Sequence, residues 1–167
     1  MDEGMLILRL VVGTVMVFHG TEKLFGWWGG EGLSGATQFF ERQGFRPPAL
    51  MAAVAGTTET AAGILLGVGL LTPLACLMLI GTLVNVVALH VRNGLSRRNN
   101  GFEYELVLLA STVAVLFTGA GTWSVDRLAG LPALGSGANA LILSAGFVSG
   151  MAVVASRRRP QPVGGRS

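Results

Sequence analysis

The chain has 167 residues, the size of a single domain, with 51% hydrophobic and only 13% charged residues. A soluble domain carries roughly 25% charged residues, so this composition argues against a water-soluble domain and indicates a lipid environment. The formal charge of +3 does not indicate nucleic-acid binding, because the basic residues lie in short gaps between apolar stretches and at the carboxyl terminus. The single cysteine, Cys76, lies within an apolar stretch, so an intrachain disulfide is excluded.

Five apolar stretches follow one another along the chain, each close to the roughly 20 residues that cross a bilayer core. They are too long for barrel strands and therefore predict an all-α, polytopic membrane helix bundle. The predicted spans are about 5–24, 49–71, 74–91, 102–119 and 133–155. The acidic start and the lack of a small-residue cleavage site after the first stretch predict that the first helix is retained.

The segments outside the spans are short and have distinct compositions. A Gly- and Trp-rich segment follows the first span, and its residues 35–43 are expected to form a short interfacial helix. Residues 1–155 are therefore assigned to one transmembrane domain, and residues 156–167 to an Arg-rich, disordered cytoplasmic tail. Whether the last apolar stretch crosses the membrane or lies at its interface stays open at this stage.

The distribution of basic residues predicts the orientation. Five spans place ten of the twelve lysines and arginines on one side: Lys23, Arg42, Arg46, Arg92, Arg97, Arg98, Arg157, Arg158, Arg159 and Arg166. The opposite side holds only Arg127, and Arg9 lies within a span. The positive-inside rule then predicts an outside amino terminus and a cytoplasmic carboxyl terminus.

Ionisable residues within the spans are candidate functional residues, because a charge at mid-bilayer costs at least about 2.5 kcal/mol and normally faces a partner. Depth along the spans places five of them at one level on three helices, with Glu59 nearer the midplane: His19, Lys23, His90, Glu103 and Glu105. Arg9 is expected to pair with Glu59 across the first two spans, and Asn85 adds a polar group to the third.

Each of these residues also has a plain structural interpretation. The pair of Arg9 and Glu59 would then only stabilise the bundle, His90 would be an ordinary interfacial histidine, and Lys23 would extend to the headgroups. No HxxxH or ExxH spacing is present, so the sequence predicts no metal site. The glycine pairs Gly63/Gly67 and Gly146/Gly150 favour packing within the chain over a dimer contact, although a homo-oligomer stays open.

Several short segments, taken in order, resemble the DoxX family of small bacterial membrane proteins. They are Leu8-Arg9-Leu10, Phe18-His19-Gly20, Lys23-Leu24, the Gly56–Gly69 segment with Glu59, His90, Asn100–Glu105, Gly119-Ala120-Gly121 and Trp123–Asp126. The resemblance implies a four-helix core in the bacterial cytoplasmic membrane, to which this chain adds a fifth, C-terminal helix. It also implies association with quinol or thiol redox complexes, and the lack of paired cysteines argues against a thiol-disulfide role for the chain alone.

Three functions are compatible with these residues. In the first, the chain is a quinone-linked subunit of a membrane redox complex, where Glu59, His19 and His90 handle protons and Arg9 or Lys23 tunes them. No cofactor motif is present, so quinone or quinol is the candidate ligand and electrons would pass to a redox partner protein. The second is a non-enzymatic scaffold for such a partner, and the third is a transporter of small molecules or ions.

Overall fold

The computed structural model describes residues 2–158, and the regular structure of that part of the chain is helical. The helices are α1 (Asp2–Phe25), α2 (Gly32–Arg42), α3 (Pro48–Val68), α4 (Thr72–His90), α5 (Glu103–Thr118), α6 (Val125–Leu128) and α7 (Ser136–Ala155). The all-α bundle predicted from the sequence is confirmed. Most of the predicted disordered tail, from residue 159 onward, lies outside the described residues.

The five predicted spans correspond to α1, α3, α4, α5 and α7, and each boundary agrees within three residues. Prolines at the first turns of α3 and α4 account for two of the starts, because a proline there loses no helical hydrogen bond. Gly69 ends α3 in the left-handed conformation (φ 69°), which a residue without a Cβ adopts at little cost. Apolar length and these end signals therefore suffice to place the helices.

Glycines set the close, antiparallel contact between α1 and α3. A Cβ added to Gly13 would lie 2.6 Å from the carbonyl oxygen of Gly63, and one added to Gly20 would lie 2.6 Å from that of Gly56. Small residues allow this approach where lipid provides no hydrophobic drive between helices. On the other side of the bundle, α7 runs parallel to α4, where a Cβ on Gly150 would lie 2.5 Å from the Gly81 oxygen. The glycine pairs Gly63/Gly67 and Gly146/Gly150 thus both lie at contacts between helices of this chain.

Four helices are long and apolar enough to cross a membrane: α1, α3, α7, and α4 extended to Asn93. The last apolar stretch is therefore long enough to span. Helix α5 has 16 residues and is about 24 Å long, short of the roughly 30 Å hydrocarbon core. It nevertheless runs antiparallel beside α4, from the level of His19 to that of Met5. The fifth crossing is supported by the position of α5 but not by its length.

The helix directions give the bundle two ends. We call the end that carries Asp2 and the 119–135 loop the upper end, and the end that carries His19, His90 and Glu105 the lower end. Among the described residues, the upper end carries Arg9 and Arg127, and the other lysines and arginines lie at the lower end. The one-sided distribution of basic residues predicted from the sequence is therefore present in the fold.

The core is apolar and lies between α1, α3, α4 and α5. Its fully buried side chains include Val12, Leu66, Leu79, Ile80 and Val115. Large apolar side chains also cover the outer surface, such as Ile7, Val107, Leu141 and Val148, each more than 60% exposed. An outer surface of this kind suits hydrocarbon as its surroundings.

Helix α2 covers the lower end beside α3. It confirms the predicted short helix at residues 35–43 and begins three residues earlier. Its Phe40 packs with Phe45 and Ala52 in a second apolar cluster, which Val153 of α7 joins. The exposed rings of Trp27 and Trp28 precede α2, where the headgroup zone is expected.

Candidate functional site

A cleft of about 640 Å³ opens at the lower end between α1, α4 and α5. We call it the polar cleft. Its ionisable and phenolic groups come from four helices and from the segment between α4 and α5: His19, Lys23, Glu59, His90, Arg97, Tyr104 and Glu105. The sequence predicted most of this convergence, because it placed His19, Lys23, His90 and Glu105 at one depth.

Lys23 and Glu59 form the shortest ion pair of the cleft. Lys23 Nζ donates to Glu59 Oε2 at 2.6 Å, and the Glu59 side chain is only 4% exposed. The Lys23 side chain is 29% exposed, so its ammonium group also borders open space. Removing one partner of such a buried pair leaves the other charge uncompensated, which is more costly than the net stability that the pair contributes.

The predicted pairing of Arg9 with Glu59 is wrong. Glycine contacts fix the register of α1 and α3 so that Gly20 lies beside Gly56 and Thr60. Glu59 is therefore level with the lower part of α1, within reach of Lys23. Arg9 is eleven residues above Gly20, about 16 Å along the helix, too far for its guanidinium to reach Glu59.

Arg9 instead ties the upper end together, and the structure does not bring it to the predicted polar cluster. Its side chain is 1% exposed and donates to the backbone oxygens of Ala120 and Trp123 in the loop after α5. In the same loop, Asp126 accepts from the backbone nitrogens of Leu71 (2.6 Å) and Thr72 (2.9 Å) and so caps α4. The Trp123–Asp126 segment is thus a structural element.

His19 contacts Tyr104 across α1 and α5. His19 Nε2 lies 3.2 Å from the Tyr104 hydroxyl, and His19 Nδ1 lies 3.6 Å from Glu22 Oε2. The Arg97 guanidinium lies over the Tyr104 ring, 5.4 Å from its centre. Sequence reasoning did not select Tyr104, although its place between Glu103 and Glu105 was visible.

His90 and Glu105 face each other from α4 and α5. His90 Nδ1 is 3.7 Å from Glu105 Oε1, within ion-pair distance but beyond a hydrogen bond. His90 Nδ1 and Glu105 Oε2 are both buried and have no hydrogen-bond partner within residues 2–158. Native proteins leave few buried polar atoms unsatisfied, so these two atoms require a further partner such as water or a ligand.

Two predicted members of the cluster lie elsewhere. Glu103 is exposed and does not line the polar cleft, because a two-residue step turns a helix by about 200° and Glu105 faces inward. Asn85 is buried but faces a second cleft, between α3, α4 and α7, rather than the polar cleft.

This second cleft, of about 630 Å³, is lined mainly by hydrocarbon side chains, and we call it the apolar cleft. Helix α2 contributes Phe39 and Phe40 to its lower part. Five residues line both clefts and separate them: Lys23, Glu59, Thr82, Val86 and His90. The two clefts are therefore adjacent and share one wall.

The chemistry available in the polar cleft is proton exchange and hydrogen bonding. No group of three or more His, Cys, Asp or Glu residues that could hold a metal ion occurs within residues 2–158. The cleft offers imidazole, phenol, ammonium and carboxylate groups, which together can donate and accept hydrogen bonds with an oxygen-bearing ring.

One comparison with known proteins identifies a family. The family model described as DoxX matches residues 4–91, just over half of the chain, and these residues include α1, α3 and α4. Neither a curated protein nor a solved structure matches the chain. The matched segment supplies His19, Lys23, Glu59 and His90, and α5 adds Tyr104 and Glu105. The family resemblance of the sequence is thereby confirmed: this chain, a multi-pass membrane protein, belongs to the DoxX family.

Proposed function

We propose that this protein is a quinone-linked subunit of a redox complex in the bacterial cytoplasmic membrane, and that the polar cleft binds the quinol headgroup. The observation that carries the proposal is the pair of unsatisfied buried atoms, His90 Nδ1 and Glu105 Oε2, beside the Lys23–Glu59 ion pair. A quinol ring carries hydroxyl groups on opposite sides, and each can meet a polar partner in a cleft of this kind.

The groups of the cleft fit such a ring. A quinol hydroxyl can donate to Glu105 Oε2 or to a neutral His90 Nδ1, which satisfies an atom that the fold leaves without a partner. On the α1 side, His19 and the Tyr104 hydroxyl form a second polar contact at 3.2 Å. The cavity volume of about 640 Å³ falls within the usual range for small-molecule sites.

Oxidation of a quinol to a quinone releases two protons and two electrons. In the proposal, the His90–Glu105 pair and His19 act as general bases that accept the protons near the lower end. The electrons pass to a metal or flavin redox centre that belongs to a partner subunit. This chain then binds the ring, holds its orientation and moves its protons.

The Lys23–Glu59 pair is assigned an electrostatic role in this scheme. Glu59 lies almost completely buried, and Lys23 keeps its charge balanced within a low-dielectric region. The ammonium group of Lys23 has further donors for a ring oxygen, because a lysine carries three. The pair thereby places a fixed dipole and a hydrogen-bond donor at the inner wall of the cleft.

The orientation is part of the proposal. The positive-inside rule assigns the basic lower end, and with it the polar cleft and the carboxyl terminus, to the cytoplasmic side. Protons taken from a quinol would then leave on that side. Reporter fusions at both termini measure the orientation, and an extracellular carboxyl terminus would contradict it.

The test is ligand binding by the purified chain in lipid nanodiscs, titrated with a tailless benzoquinone that is kept in its reduced, quinol form. We expect saturable binding that Glu105→Gln and His90→Ala each weaken. Glu41→Gln is the matched control, because Glu41 pairs with Arg46 at 3.5 Å on the exposed face of α2. Absence of binding, or equal binding by all variants, overturns the proposal.

The same preparation distinguishes the alternatives. A redox partner that co-purifies with a chain unable to bind quinone would indicate a scaffold. Proton-coupled solute uptake in liposomes without quinone binding would indicate a transporter. Both results count against a quinone site.

A further inference from the structure

We propose that the apolar cleft holds the hydrocarbon tail of the same quinol whose ring occupies the polar cleft, so that the ligand is a long-tailed, membrane-resident quinone. The inference rests on the proposed function and extends it from the ring to the tail. The proposed occupant of the two clefts is one amphipathic molecule, which extends from one cleft to the other past the Lys23–Glu59 pair.

Adjacency of the two clefts is the first argument. Thr82 and Val86 lie one turn apart on α4 and line both spaces, as do Lys23, Glu59 and His90. A ring beside His90 would therefore lie against the wall that the two clefts share. A molecule with a polar head and an apolar tail fits this arrangement.

The chemistry of the walls is the second argument. The apolar cleft is lined by aliphatic, aromatic and thioether side chains, including Val54, Leu77, Met78, Leu89 and Val153. Its ionisable groups are the three that it shares with the polar cleft. A charged or strongly polar ligand would lose its hydration there and find few polar partners, such as Asn85 and Ser149, whereas a hydrocarbon chain has no hydration to lose.

The shape of the opening is the third argument. Helices α3 and α7 both pack along α4, and the cleft lies between them. At the lower end, Val153 packs against Phe40 and Ala52 and closes the gap. Toward mid-bilayer, Val54 and Ala145 line the cleft and are exposed, so the gap faces lipid there. A tail that enters from this side stays in hydrocarbon along its whole length.

The hydrophobic free energy of the tail determines what the apolar cleft contributes to binding. A tail that moves from lipid into an apolar cleft gains little hydrophobic free energy, because lipid chains are equally apolar. The cleft therefore contributes orientation more than affinity, since it fixes the direction from which the ring reaches His90 and Glu59. The sharpest readout is accordingly the location of the tail rather than the binding constant.

The experiment uses the full chain in nanodiscs with a decyl benzoquinone that carries a diazirine at the end of its tail. After photolysis, we expect labelled peptides from α3 and α7, and competition by unlabelled decyl benzoquinone. Ala145→Phe places a ring over the opening and should lower labelling about tenfold, as expected for overpacking. The matched control Ala140→Phe changes an exposed alanine of the same helix outside the cleft and should label normally.

The outcomes separate this inference from the proposed function. If a tailless benzoquinone binds in a Glu105-dependent manner but the label spreads over lipid-facing residues of all helices, the tail site is wrong and the ring site stands. If neither compound binds, both fail. Labelling by a diazirine phospholipid at the same peptides, without competition by the quinone, would assign the cleft to lipid and overturn the inference. The wild-type labelling pattern decides even if Ala145→Phe does not fold.

Discussion

The two ends of the bundle both contain charged residues within the membrane, but they satisfy them differently. At the upper end, Arg9 is enclosed and bonds to backbone oxygens of a loop that Asp126 ties to the start of α4. Among the described residues of this end, Arg9 Nε and Thr72 Oγ1 are buried without a hydrogen-bond partner. At the lower end, the charges pair across helices beside open space, and His90 Nδ1 and Glu105 Oε2 lack partners. Both ends therefore hold buried atoms without a partner, but at the lower end these atoms belong to two ionisable side chains that face each other, with His90 Nδ1 3.7 Å from Glu105 Oε1. This arrangement makes the lower end the candidate site.

The largest effect is expected at the upper end. Arg9→Ala leaves the oxygens of Ala120 and Trp123 without donors and opens a cavity, so it should lower the free energy of unfolding by about 3–5 kcal/mol. Thermal unfolding in detergent measures this loss. Quinone binding per folded molecule should be unchanged. An Arg9→Ala protein that loses binding but keeps its stability would show that the upper end, rather than the lower end, binds the ligand.

The Lys23–Glu59 pair should show an intermediate effect on stability. Glu59→Gln leaves Lys23 without its partner, but the ammonium group is partly exposed, so the loss should be about 1–3 kcal/mol. The double variant Lys23→Met with Glu59→Gln should recover part of the stability and none of the quinone binding. A Glu59→Gln protein with normal stability and normal binding would show that this pair has no role.

Tyr104→Phe removes one hydroxyl and retains the ring under Arg97. Because the hydroxyl contact with His19 is 3.2 Å long and partly exposed, the stability should fall by about 0.5–1.5 kcal/mol. Binding of a tailless benzoquinone should weaken by about tenfold if the phenol contacts the ring. Equal affinity of the wild type and the Tyr104→Phe variant would show that the ring does not bind beside Tyr104 and His19.

The smallest effect is expected for Glu103→Gln. Glu103 is exposed in the first turn of α5 and outside both clefts, so stability should change by less than about 0.5 kcal/mol and binding not at all. Glu105→Gln, two residues away, should abolish most binding. This pair of variants tests whether the inward face of α5, rather than acidic charge near the lower end, forms the site.

The helices were readable from the sequence because apolar length, Pro48, Pro73 and the Gly69 end signal are local properties. The partner of Glu59 could not be predicted from the sequence, because it depends on the register of α1 against α3. That register is set by a glycine contact between distant parts of the chain, Gly13 with Gly63, which neither segment specifies alone.

Helix phase explains the remaining differences. Glu103 and Glu105 look alike in the sequence, and only the packing of α5 against α4 and α1 determines which one faces inward. The apolar cleft could not be predicted at all, because it results from the spacing of α3 and α7 on α4. Asn85 is a buried polar residue of α4. The cleft that its side chain faces depends on where α7 packs, which the sequence alone did not show.

The central claim is that the unsatisfied atoms of the lower end meet a quinone ring. A cryo-EM structure of the chain with decyl benzoquinone in its reduced, quinol form and a bound antibody fragment tests it most directly. We predict ring density within hydrogen-bond distance of His90 Nδ1 or Glu105 Oε2, and tail density between α3 and α7. A polar cleft filled by this chain's own side chains, with both atoms bonded internally and the quinone elsewhere, would contradict the account.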